Sequence, residues 1–326
     1  MAVTKMPLSK AITASLRTAM EADPKVVVMG EDVGKLGGVF RVTDGLQKDF
    51  GEERVIDTPL AESGIIGTAI GLALRGYRPV AEIQFDGFVF PAYDQIVTQL
   101  AKMHARALGK VKLPVVIRIP YGGGIGAVEH HSESPEALFA HVAGLKCVSP
   151  ANASDAYWML QQAIQSDDPV LFFEPKRRYW DKGEVDTQAI PAPLHKAQVV
   201  REGGDLTLAA YGPMVKVCLD AAAAASEEGR SLEVVDLRSI SPIDFDTVQA
   251  SAEKTGRLVV VHEAPVFFGA GAEIAARITE RSFYHLEAPV LRVGGFHSPY
   301  PPSRVEEEYL PGLDRVLDAV DRALAY

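Results

Sequence analysis

Short apolar runs alternate with longer amphipathic segments along the first half of the chain. Residues 26–29, 54–57, 80–85, 114–119, 146–149 and 170–173 read as strands, and residues 63–75, 93–104 and about 154–165 as helices between them. Strand and helix taken in turn predict a mainly parallel sheet covered by helices. The pattern breaks between residues 174 and 196, where Pro175, Pro191 and Pro193 are separated by polar residues. A second series follows, with strands at 206–210, 232–237, 257–261 and 289–293 and helices at 214–228, 245–255, 271–281 and 313–324. The expected architecture is α/β in two domains, 1–185 and 199–326, joined by a linker at 186–198.

The totals fit that division. A chain of 326 residues is long enough for two domains. At 47% hydrophobic and 23% charged it has the composition of a globular protein. The formal net charge of −10 speaks against a nucleic-acid partner, which calls for a basic footprint. The densest basic cluster, Lys176-Arg177-Arg178, reads as a solvated patch or an ion-pair site. Cys147 and Cys218 form no metal-binding spacing and read as buried thiols in a reducing compartment. The apolar stretch 65–74 is far short of the roughly 20 residues a bilayer span needs. No apolar signal core opens the chain, so the expectation is a cytoplasmic protein without a membrane partner.

Four segments could carry chemistry. Asp57-Thr58-Pro59-Leu60-Ala61-Glu62-Ser63-Gly64 joins a strand to a helix, where ligands gather in open α/β sheets. Glu62 is then either a functional acid or a complement to the helix dipole. The helix behind it carries Gly64, Gly67, Ala69, Gly71 and Ala73, each glycine costing about 1 kcal/mol against alanine. Such a helix fits close packing against another backbone, within the domain or across subunits. The loop from Gly122 to Ser134 follows a strand and delivers His130 and His131, which suit proton transfer or fill a structural role. Its glycines lack a P-loop lysine, so phosphate binding is a weak reading, as is a metal site from Glu129, His130 and His131. Gln84-Phe85-Asp86-Gly87-Phe88 is either one wall of a flat-ring pocket or ordinary core. Glu31 and Asp32 could serve a cation or a proton relay, or be exposed loop acids.

Taken in order, these segments together with Gly37-Gly38-Val39-Phe40-Arg41, Arg78-Pro79-Val80, Asp94-Gln95-Ile96-Val97, His131-Ser132-Glu133-Ser134-Pro135, Asp236-Leu237-Arg238 and Gly271-Ala272-Glu273 resemble the beta chain of the decarboxylating component of 2-oxo acid dehydrogenase complexes. The resemblance spans essentially the whole chain. It implies an N-terminal thiamine pyrimidine-binding domain and a C-terminal transketolase-like domain. It also implies an alpha subunit in an α2β2 heterotetramer, and a lipoyl-bearing acyltransferase core as acceptor. Thiamine diphosphate would be shared with the alpha subunit, which holds Mg2+ through a Gly-Asp-Gly motif this chain lacks.

By the same resemblance, Glu62 bonds a ring nitrogen of the aminopyrimidine and switches the cofactor on. His131 serves the acyl transfer to lipoamide. Phe88 stacks on the aminopyrimidine, Gln84 lies on the same wall, and Glu31 belongs to an acidic tunnel between paired cofactors. A potassium site in some relatives matches Val115, Ala163, Ile164, Ser166 and Asp168, with Ser166 and Asp168 departing from the acid and asparagine found there. The segments around Gly37, Ser132 and Glu174 look closer to the branched-chain subgroup than to the pyruvate subgroup, which is the alternative. Rival readings are a transketolase-like half enzyme, a sulfur-acyl carbanion enzyme and a non-catalytic scaffold.

Overall fold

A computed structural model describes residues 3–326. The first half builds a seven-stranded sheet in the order Ser239–Ser241, Lys146–Val148, Val170–Pro175, Val116–Tyr121, Arg78–Glu82, Val26–Gly30 and Val55–Asp57. Every neighbouring pair is parallel except the first, so the sheet is mainly parallel as expected. Val170–Pro175 comes late in the sequence but lies inside the sheet and is buried along its whole length. Helices cover both faces, which is why these strands read as continuous apolar runs.

The second half forms a five-stranded sheet in the order Leu291–Gly295, Leu258–Pro265, Leu206–Ala210, Leu232–Asp236 and Gln198–Arg201, with only the last strand antiparallel. The two halves are not insulated from one another. Ser239–Ser241, contributed by the second half, pairs with Lys146–Val148 of the first. One buried apolar cluster runs from Ile83, Phe139 and Cys147 to Tyr211, Val235 and Ile274. Both cysteines are free and buried.

Three departures from the sequence reading have local causes. Residues 93–104 are not one α-helix: a 3-10 helix spans Asp86–Ala92, a wider π-helical turn Gln95–Leu100, and an α-helix only Ala101–Arg106. Pro91 sits inside the first segment, where it has no N–H to give. The break in pattern after residue 174 is not irregular throughout, because Lys182–Asp186 pairs antiparallel with Val3–Pro7. A helix over Leu8–Ala22 was not expected; its buried face uses Leu8, Ala11, Ile12, Ser15, Leu16 and Ala19, and the serines and alanines dilute the apolar period. No helix among the described residues is long and apolar enough to cross a membrane.

The Glu62–Leu74 helix buries Ile65, Ile66, Ala69, Ile70 and Ala73. Its other side is exposed and carries Gly64, Thr68, Gly71 and Leu74. A Cβ added at Gly67 or Gly71 would meet nothing within 4 Å. Packing inside this chain therefore does not account for those glycines.

Candidate active site

Parallel strands end on one edge of the first sheet, and each is followed by chemistry. Val26–Gly30 leads into Glu31 and Asp32, Val55–Asp57 into the Glu62 turn, and Arg78–Glu82 into Gln84, Phe85 and Phe88. Val116–Tyr121 leads into the glycine loop that ends at His131, and Val170–Pro175 into Lys176. Adjacent parallel strands place all five loops on the carboxyl edge, where such sheets bind ligands.

The first group is acidic. Glu62 opens its helix and is 7% exposed, yet no partner for its carboxylate is present among the described residues. Glu31 lies close enough to feel it. Burial first, then the Glu62 charge and the Asp32 charge, push the Glu31 carboxyl above its ordinary value. Asp32 accepts a hydrogen bond from the Gln84 amide at 3.3 Å, and its backbone sits at a left-handed φ of 57°.

The second group is aromatic. The His131 ring centre lies 4.2 Å from that of Phe85 and 5.2 Å from that of Phe88, both edge-on. His131 Nδ1 is buried and has no hydrogen-bond partner among the described residues. Burial, His130 and Lys176 hold the imidazole below its ordinary pKa, so it is neutral near pH 7 and offers one donor and one acceptor. The two groups are contiguous because Gln84 and Phe85 are neighbours. The 3-10 helix carrying Phe88 packs between the Glu62 helix and the His131 turn.

Beneath both groups lies a buried charge cluster. The Arg118 Nε and Nη2 donate to Glu174 at 2.6 and 2.9 Å, and Nη1 donates to Glu82 at 2.6 Å. The Tyr179 hydroxyl donates to Glu174 at 2.6 Å. Arg118, Glu82 and Glu174 sit on three neighbouring strands, so the cluster ties their ends together.

The glycine loop is held from the second half of the chain. The Gly123 N–H donates to Glu263 at 2.5 Å, and the amides of Gly124 and Gly126 donate to Glu306 at 2.8 and 3.0 Å. These amides are already taken by carboxylates of the second half.

The family description "Transketolase, pyrimidine binding domain" matches residues 4–181, and "Transketolase, C-terminal domain" matches residues 195–316. The chain is 64% identical to the pyruvate dehydrogenase E1 component subunit beta of Leifsonia xyli subsp. xyli, over 99% of this chain and 96% of that protein. It is 55% identical to the 3-methyl-2-oxobutanoate dehydrogenase subunit beta of Mycobacterium tuberculosis, over 98% and 92%. This chain belongs to the E1 beta subunits of the pyruvate and branched-chain 2-oxo acid dehydrogenases. An E1 beta chain is part of a decarboxylating, thiamine-diphosphate-dependent enzyme and implies an alpha partner. The fold agrees with that of a solved structure titled a split-gene transketolase, an inactive beta4 tetramer, at 26% identity, a TM-score of 0.81 and 98% of both chains.

The remaining positions expected for an E1 beta chain lie elsewhere. Val115, Ala163, Ile164, Ser166 and Asp168 gather away from Glu62, around the start of Val170–Pro175. Arg78 Nη1 donates to the carbonyls of Ile164 and Ser166 at 2.9 and 3.0 Å, and Lys146 pairs with Asp168 at 2.7 Å. A guanidinium thus already occupies two of the carbonyls offered for potassium. No group of three or more His, Cys, Asp or Glu side chains fit for a metal occurs among the described residues. Sequence reasoning missed Arg118 and Glu263 as parts of the site, and gave Asp86 and Lys176 no role beyond a pocket-wall segment and a basic run. For Arg118 and Glu263 the usable signal was a charged residue inside an apolar strand run, Val116–Tyr121 and Leu258–Pro265, since a buried charge must find a partner inside; Asp86 and Lys176 lie outside such runs.

Proposed function

We propose that this chain contributes the activating half of a thiamine-diphosphate site, and that with an alpha subunit it oxidatively decarboxylates a branched-chain 2-oxo acid and passes the acyl group to lipoamide on an acyltransferase core. The observation that carries the reading is Glu62. A glutamate that is only 7% exposed and whose carboxylate has no partner among the described residues fits a ring nitrogen brought by a ligand. Glu62, Gln84 and Phe88 would hold the aminopyrimidine end, while the diphosphate and Mg2+ would fall to the alpha subunit. Bound there, thiamine diphosphate supplies the thiazolium that accepts the electron pair left when the carboxyl group departs.

The chain's own residues then have separable tasks. Glu62 holds a proton between its carboxyl and the ring nitrogen. The Glu31 carboxyl, pushed up beside it, is suited to share a proton along the acidic edge. Phe85 and Phe88 wall off water beside His131. Neutral His131 can donate to and accept from the groups exchanged with lipoamide. The exposed glycine face of the Glu62–Leu74 helix gives a partner subunit room for close approach, which supports assembly as an α2β2 heterotetramer.

The test is co-expression with an alpha subunit, followed by decarboxylation of 3-methyl-2-oxobutanoate and of pyruvate with an artificial electron acceptor. Preference for 3-methyl-2-oxobutanoate is expected. Preference for pyruvate would assign the alternative, which the name of the 64% identical relative favours. In the same complex, Glu62→Gln should leave assembly intact and remove most proton exchange at the thiazolium carbon; unchanged exchange refutes the role. His131→Ala should slow lipoyl acylation more than decarboxylation, and equal losses refute that assignment.

A further inference from the structure

The basic run at residues 176–178 does not form a surface patch. After the buried strand Val170–Pro175 the chain turns, and Lys176 points inward at 1% exposure. Its ammonium pairs with the carboxylate of Asp86, which is fully buried. It donates to the backbone carbonyl of His131 at 2.6 Å and lies 5.4 Å from the centre of the Phe85 ring. Asp86 also accepts the backbone N–H of Glu133 at 2.7 Å. One ion pair therefore grips the loop on both sides of Ser132, by a carbonyl and by an amide. Gly87 completes the grip, because a Cβ there would sit 2.8 Å from the His130 Cα. Only glycine lets the loop lie that close to the 3-10 helix.

A buried ion pair is weak evidence for stability, since an apolar pair of similar volume often serves as well or better. An apolar pair could not hold a carbonyl and an amide of the neighbouring loop. That loop has little structure of its own beyond the three-residue turn Glu129–His131. Among the described residues, the buried Nδ1 of His131 has no hydrogen-bond partner to fix the ring. Its direction is left to ring packing against Phe85, Phe88 and His130 and to the backbone anchors.

We propose that Lys176, paired with Asp86, is a positioning residue for His131, holding the loop backbone so that the imidazole stays against the Phe85–Phe88 wall. The proposal rests on the assignment of His131 to acyl transfer made above. It gives the inward lysine a task in the reaction without contact to substrate.

The test uses the complex with the alpha subunit and has two readouts. In Lys176→Met, lipoyl acylation should fall about tenfold more than decarboxylation measured with an artificial acceptor, the scale expected of a small misplacement of a reacting group. Diethyl pyrocarbonate labelling of the same complex, read by peptide mass spectrometry, should show the His131 to His130 labelling ratio change several-fold. Asp86→Asn keeps an acceptor for the Glu133 amide and should give smaller changes of the same kind; it also decides the matter should Lys176→Met fail to assemble. His131→Ala is the reference. If it spares acylation, the assignment of His131 falls and this proposal with it. If it abolishes acylation while the Lys176 and Asp86 variants leave the labelling ratio unchanged and slow both half-reactions equally, the positioning role alone is overturned.

Discussion

Replacing Arg118 by Met would remove the cation that holds three strand ends beneath the site. Arg118 is fully buried and makes three charge-assisted hydrogen bonds to Glu174 and Glu82, with Tyr179 adding a fourth bond to Glu174. One guanidinium faces two carboxylates, so the cluster already carries excess negative charge. Burial pushes the Glu82 carboxyl up, Arg118 pulls it down, and the Glu174 charge pushes it up again. Methionine would fill much of the volume but leave both carboxylates buried without a counter-charge. Breaking a buried pair by removing one partner costs about 3–5 kcal/mol. For a domain of this size the corresponding fall in Tm is roughly 6–20 °C.

The defect should also depend on pH. Without Arg118, which pulls it down, the folded-state Glu82 carboxyl rises further above its unfolded value. Folded-state protonation then helps at low pH, and that help is lost as pH rises through the raised pKa, so the variant should lie closest to the parent in acid. Thermal melts of both proteins between pH 5 and pH 8 measure this. A Tm loss under about 2 °C, or a loss that does not grow with pH, would refute the reasoning. Loss of the strand-end tie should also lower decarboxylation in the assembled enzyme, since Gln84 and Phe85 follow directly from Glu82.

Three further outcomes follow from other parts of the structure. Gly67→Ala should stabilise the isolated chain by about 0.5–1 kcal/mol in denaturant melts, because nothing within 4 Å opposes a Cβ there and glycine is a poor helix former. Gly67→Leu should abolish co-elution with the alpha subunit in size-exclusion chromatography while the chain itself still folds; intact assembly would show that this face is not the contact. Burial raises the Glu136 carboxyl to about 7, against the pull of the Tyr211 hydroxyl that donates to it at 2.7 Å. A raised folded pKa gives stability that is present below the unfolded value and lost as pH rises through about 7. Glu136→Gln should therefore flatten the stability profile between about pH 4.5 and 7, removing up to ~3 kcal/mol of slope; an unchanged profile would show that another group titrates there.

The alternation of buried runs and amphipathic segments determined the class of fold, because strand and helix periods are local properties of the chain. That alternation announced two α/β halves and placed Glu62 and Phe88 after strands, with Gln84 inside the predicted strand 80–85, which in the structure ends at Glu82. Motif order over the whole length then pointed to the family, which the relatives show. The Val3–Pro7 ribbon and the Ser239–Ser241 edge strand stayed hidden because each pairs with a segment far away in sequence. Short polar strands carry almost no periodic signal of their own. The site divided along the same line. The residue types that do chemistry were visible, but the run at 176–178 read equally as a solvated patch or an ion-pair site, and only the fold buried Lys176 against Asp86. Charge in a sequence has no depth. Only the tertiary structure decided which lysine faces water and which holds a loop, and only the bare glycine face of the Glu62–Leu74 helix showed that packing within this chain leaves that surface unfilled.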